Sequence, residues 1–166
     1  LIQFSVLLAL YSATAVAESY FDFYGQTSLE FRAFEQAPLY DNQENGTGFS
    51  VSFEPEFFYE FDNYKDSIKF KPFLRFDPQD SSREHFDVRE LYWEHSAETW
   101  YTRVGINTVS WGVAESNHLV DIINQTDFVE SPDGEEKLGQ TMVQLGIDRE
   151  WGHLSFFVLP GFQERT

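Results

Sequence analysis

The chain has 166 residues and a formal net charge of −17, from 28 acidic against 11 basic side chains. That balance argues against nucleic acid or a bare anionic lipid surface as a partner, and fits a face that is solvated or bridged by divalent cations. Cysteine is absent, which excludes a disulfide-stapled fold, a zinc–thiolate site and a cysteine nucleophile, and 18% aromatic residues with a negative mean hydropathy require apolar side chains set singly among polar ones.

The first 17 residues, LIQFSVLLALYSATAVA, carry no charge. An apolar run thins into small residues and closes on Ala15-Val16-Ala17, the A-x-A pattern of a secretory cleavage site. The run is too short and too broken by Ser and Thr for a spanning helix. With neither an initiator Met nor a basic stretch ahead of it, the segment reads as an export signal with an incomplete start. A mature chain over 18–166 then begins near Glu18.

Beyond that point the sequence alternates with period two, the signature of strands whose successive side chains face opposite sides. Over 25–34, Thr27, Leu29, Phe31 and Ala33 alternate with Gln26, Ser28, Glu30 and Arg32. The clearest run is 49–61. One phase is Phe49, Val51, Phe53, Pro55, Phe57, Tyr59 and Phe61, and the other is Ser50, Ser52, Glu54, Glu56, Phe58 and Glu60. Such a length suits a tilted strand crossing a bilayer, roughly 9–11 residues plus its ends. Over 68–76, Ile68, Phe70, Leu74 and Phe76 oppose Lys69, Lys71 and Arg75. The stretch 86–94 is less regular, with Leu91 and Trp93 sharing a phase with Arg89. Strands at 100–106, 141–147 and 154–158 bring the count to seven.

The connections alternate in length: long at 35–48, tight at 62–66, polar at 78–84, tight at 96–98, long at 107–140, tight at 150–153. Outer-membrane barrels sort their connections this way, with short periplasmic turns and long outer loops. The expected fold is therefore all-β, an antiparallel meander forming part of a transmembrane β-barrel. About seven strands of a larger even-numbered barrel are present, so the sequence reads as an N-terminal fragment. Pro55 and Pro72 fall inside strands, where each removes a ladder hydrogen bond, and are expected at bulges or strand ends. Trp93, Trp100, Tyr92, Tyr101 and Trp151 cluster near short turns, where an interfacial aromatic girdle belongs.

The phase opposite the apolar one is charged. Glu30, Arg32, Glu54, Glu56, Glu60, Lys69, Lys71, Arg75, Arg89 and Arg103 are the candidate pore-lining residues. A dry core would tax so many charges heavily, whereas a wet lumen accommodates them. Glu54, Glu56 and Glu60 are expected to face Lys69, Lys71 and Arg75, either as opposed acidic and basic walls or as cross-strand pairs that stabilise the wall. The long segment 107–140 holds seven acids against one lysine. It is expected to enter the lumen as a constriction, with Glu115, His118 and Asp121 as candidate residues and a short helix around Leu119–Ile123. Enzyme signals are thin: Val109-Ser110-Trp111-Gly112 is no nucleophile elbow, and Glu115 with His118 lacks a second histidine at metalloprotease spacing. No catalytic residue, metal site or cofactor is expected.

The segment Arg103-Val104-Gly105-Ile106-Asn107-Thr108-Val109-Ser110-Trp111-Gly112 resembles a signature of poorly characterised, porin-like proteobacterial outer-membrane proteins, in which a strand ending in G-x-x-x-V-S-W-G precedes a long outer loop. The run 159–166 is similar to a second segment of such proteins. The resemblance implies a larger barrel in the bacterial outer membrane, passive or substrate-biased uptake of small solutes, lipid and lipopolysaccharide as surroundings, and no cofactor. Two other readings are an outer-membrane enzyme and a periplasmic carbohydrate-binding β-sandwich.

Overall fold

The computed structural model describes residues 2–16 (backbone only), 19–35, 46–109, 122–130 and 136–162. Eight strands form one sheet in chain order: β1 (Ile2–Val16), β2 (Ser19–Phe34), β3 (Gly46–Glu60), β4 (Asp66–Phe76), β5 (His85–Ser96), β6 (Trp100–Asn107), β7 (Gln140–Arg149) and β8 (Gly152–Val158). Every neighbouring pair is antiparallel. Among the described residues the sheet is open, with β1 and β8 as its edges.

All seven strands expected from the alternation are present, and the first begins earlier than expected, at Ser19. The eighth, β1, lies over residues read as the export signal and pairs with β2 from Ile2↔Ala33 to Val16↔Ser19. A bare strand edge is a row of unmet N–H and C=O groups, and an adjacent extended segment satisfies it. Because a meander reverses at each turn, alternate connections share an end of the sheet. The strand ends joined by 35–45, 77–84 and 108–139 lie at one end, and those joined by 61–65, 97–99 and 150–151 at the other.

Burial runs opposite to that of a water-soluble sheet. On β3, Phe49 and Phe53 are 47% and 48% exposed, while Ser50 and Ser52 between them are 0% and 6% exposed. Among the described residues the buried apolar side chains are few, Pro72, Phe73, Leu138 and Met142, whereas Glu30, Glu54, Glu56, Arg89 and Gln144 are among the buried polar ones. With Phe49 and Phe53, the residues Leu29, Phe31, Leu74, Phe76, Leu91, Val104, Val143 and Phe156 carry the bare apolar face across seven strands. Each is about half exposed, so in water it forgoes roughly half of the 1.5–3 kcal/mol that full burial contributes.

The two prolines are accommodated differently. Pro72 lies at a bulge, as expected: Lys71 pairs with Glu90 and Pro72 with Val88, leaving Arg89 without an opposite residue. The bulge also explains the irregular phase of 86–94. Outward residues step from Phe86 and Val88 to Leu91 and Trp93, so Arg89, which sequence alternation groups with the outward pair, is buried instead. Pro55 is at neither a bulge nor a strand end. The β3–β4 ladder is interrupted between Phe53↔Leu74 and Phe57↔Phe70, and two residues on from the first pair Pro55 comes opposite Pro72. The bonds both prolines lack therefore fall at one crossing. Pro55 also packs closely on β2, where a Cβ on Gly25 would stand 2.8 Å from its Cα.

The turn between β3 and β4 is built by Asn63, whose Oδ1 accepts the backbone N–H groups of Lys65 (2.9 Å) and Asp66 (3.0 Å). Tyr64 then takes φ +54°, a left-handed conformation unfavourable to any side chain but Gly, Asn or Asp. Tyr64→Asn is expected to stabilise the fold by about 0.5–1 kcal/mol, read as a higher urea midpoint. An unchanged or lower midpoint would mean that the exposed Tyr64 ring contributes as much as the strain removes.

Three of the five aromatic residues expected near short turns share one exposed face. Trp93, Trp100 and Trp151 are exposed near the short-turn end, and His95 stacks against Trp93 and Trp100 at 6.0 and 5.3 Å. Tyr92 and Tyr101 belong to the other face. The Arg103 guanidinium lies 4.2 Å from the Tyr92 ring centroid, and Tyr101 Oη accepts from Gln144 Nε2 at 2.8 Å. One-residue alternation puts each tyrosine opposite its neighbouring tryptophan.

Candidate functional site: the polar face and its covering segment

The buried polar residues of β2 to β7 form one continuous surface, and its charges are paired strand to strand. Lys69 Nζ lies 2.8 Å from Glu56 and 2.7 Å from Glu90, and Lys71 Nζ lies 2.8 Å from Glu54. Tyr24 Oη donates to Glu56, and Gln26 Nε2 to Glu54 at 3.0 Å. Arg103 pairs with Glu94 and donates to the buried Asn107 at 3.2 Å. Acids of β3 thus meet bases of β4 in direct contact, the cross-strand arrangement rather than two opposed walls. Glu60 is not part of it. It lies opposite Ser67 at the short-turn end, and Arg75, one of the bases expected to face it, turns elsewhere.

Arg75 belongs to a cluster at the long-connection end. Its Nη1 donates to Ser50 Oγ at 2.9 Å and lies 3.4 Å from Glu30. Glu30 is also within 3.2 Å of Arg32 and 3.1 Å of Arg83. Asp77 ties the connection 77–84 to this cluster. Its Oδ1 accepts the backbone N–H groups of Gln79 and Asp80, and its Oδ2 accepts from Arg32 (2.6 Å) and Arg83 (3.3 Å). Burial works against the Arg83 charge, but the hydrogen bond to Glu30 and the charges of Glu30, Glu130 and Asp77 together outweigh it and raise the pKa above the ordinary arginine value. In the same connection, a hydrogen bond from the Ser82 hydroxyl holds the Asp80 carboxyl below the usual carboxylate range.

Part of the long acidic segment covers this face. Residues 122–130 and 136–139 run antiparallel through the Thr126↔Lys137 bridge, and Asn124 braces them by donating to the carbonyls of Asn107 and Leu138, each at 2.9 Å. Asp127 repeats the construction of Asp77. One oxygen accepts the backbone N–H groups of Val129 (3.1 Å) and Glu130 (3.2 Å), and the other accepts from Arg89 at 2.6 Å. Arg89 also donates to the Lys137 carbonyl at 3.1 Å and lies 4.8 Å from the Phe73 ring centroid. Three residues on, Glu130 receives Arg75. Arg75 Nε lies 2.7 and 2.9 Å from the two carboxylate oxygens, and Nη2 also donates to Oε2.

The candidate constriction residues Glu115, His118 and Asp121, and most of the expected helix, lie outside the described residues. Ile122 and Ile123 are described and are not helical, and Ile122 is 82% exposed rather than packed. Sequence reasoning missed Ser50, Asp77, Arg83, Asn124, Asp127 and Glu130 as members of the site. Among the described residues no three His, Asp or Glu side chains are grouped to hold a metal ion.

No protein-family model matches the chain, and neither a curated protein nor a solved structure shows significant similarity to it.

Proposed function

We propose that this chain forms part of a porin-like β-barrel of the bacterial outer membrane and passes small solutes along its polar face. The observation that carries the reading is the reversed burial of β3, with phenylalanines bare and serines and glutamates buried between them. Lipid and the acyl part of lipopolysaccharide would cover the apolar face, and a water-filled lumen would solvate the charged one. The sorting of long and short connections to opposite ends supports the same reading. A carbohydrate-binding sandwich would bury its phenylalanine phase beneath a second sheet, and among the described residues that phase is uncovered.

The full-length protein is expected to stay with envelope membranes through carbonate and high-salt washes and to leave them only in detergent. Reconstituted into planar bilayers, it is expected to give discrete conductance steps. Release by carbonate would overturn the membrane assignment. Retention without conductance in any electrolyte would overturn the channel.

A further inference from the structure

Arg75 holds the Glu130 carboxylate in a fork, with Nε against both oxygens at 2.7 and 2.9 Å and Nη2 donating to Oε2. This is the two-point geometry by which a guanidinium recognises a free carboxylate. The acid comes from the covering segment, not from a neighbouring strand. Arg75 and Glu130 side chains are 8% and 5% exposed, so the fork is a built site rather than a surface contact.

Charge counting indicates what this site would take. Arg32, Arg75 and Arg83 gather around Glu30, Asp77 and Glu130, three cations against three anions. Withdrawing Glu130 leaves one positive charge in excess. Arg75 remains oriented by Ser50 Oγ (2.9 Å) and Glu30 (3.4 Å), with its fork vacant. A single carboxylate restores both the charge and the two-point contact. A dianion would overshoot the charge and meet Glu30 and Asp77.

We propose that Arg75 is a binding site for small monocarboxylate solutes, and that Glu130 is its built-in occupant, displaced when such a solute arrives. The site deepens the channel reading and relies on it for the solute's route, although binding itself is measurable without conduction.

The test uses the full-length protein in detergent micelles, titrated calorimetrically with acetate and, in parallel, with succinate, phosphate and arabinose. Glu130→Gln keeps the shape of the occupant and removes its charge, and is expected to tighten acetate binding by about tenfold or more. Arg75→Lys keeps the positive charge and loses the fork, and is expected to abolish acetate binding. Glu130→Asp, one methylene shorter, serves if Glu130→Gln does not fold, and is expected to change acetate affinity in the same direction. Heat with acetate in the Glu130 variant and none in Arg75→Lys supports the site. Equal acetate affinity in wild type and Glu130 variant, no acetate binding in either, or tighter binding of phosphate or succinate would overturn it. Acetate binding by a protein that gives no conductance would leave the site standing and remove the channel.

Discussion

Gly105→Ala is expected to destabilise the folded protein by roughly 3–5 kcal/mol, the largest effect of any single methyl group added to the described strands. Gly105 pairs with Tyr92 in the β5–β6 ladder at φ +139°, where a side chain is strained whatever the space. Space is lacking as well: a Cβ would stand 2.1 Å from the Leu91 carbonyl oxygen and 2.8 Å from the Tyr92 Cα, both rigid backbone. Gly152 provides the control, because it has φ +148° but nothing within 4 Å of a Cβ. Gly152→Ala should therefore show the conformational term alone, roughly 1 kcal/mol. Urea unfolding of the full-length protein, followed by tryptophan fluorescence, reads both. Equal losses at the two positions would show that β5 and β6 separate without penalty.

Arg89→Met is expected to cost about 3–5 kcal/mol, the range for breaking a buried pair and stranding its partner charge. Arg89 and Asp127 are 4% and 0% exposed at the side chain, and the variant takes away the guanidinium that donates to the buried Asp127 carboxylate. Asp127→Asn keeps an acceptor for the backbone N–H groups of Val129 and Glu130 and removes the charge. The double variant is accordingly expected to lose less than the sum of the two single ones. The magnitude decides between two environments. A loss below about 1 kcal/mol is the range of a solvated pair, and would mean that water reaches Arg89 beneath the covering segment. A large loss would mean that the segment seals this part of the face.

The seven strands were legible because alternation is local: Phe49, Phe53 and Phe57 mark one face whatever the rest of the chain does. The face itself was legible for the same reason, and Glu54, Glu56, Lys69 and Lys71 pair as their phase requires. Alternation fails where pairing departs from one-to-one. At Arg89 a bulge switches the phase, and no residue type announces it except Pro72 on the facing strand. Glu60 was grouped with its phase-mates, but its position near the turn places it beyond the cluster to which Arg75 belongs. The covering segment was hardest to read. Asp127 and Glu130 stand among seven acids of 107–140, and only the folded chain distinguishes these two by bringing Arg89 and Arg75 to them. Asp77 carried a weak signal, an aspartate followed by Pro-Gln-Asp in a turn.

The bulge at Arg89 has a consequence for how β5 tolerates change in length. Omit residue 89 and the remaining residues read Phe86, Asp87, Val88, Glu90, Leu91, Tyr92, Trp93, a strict out-and-in alternation with no break. Val88 and Glu90 would then follow each other opposite Pro72 and Lys71 in ordinary register. The hydrogen-bonded ladder to β4 thus has no need of this residue. Arg89 is in effect an insertion in an otherwise regular strand. A one-residue deletion here would repair the pattern and leave the covering segment held by Asn124 and Glu130 alone of the three ties described. The same deletion within β3 would instead turn the side chains on one side of it to the opposite face.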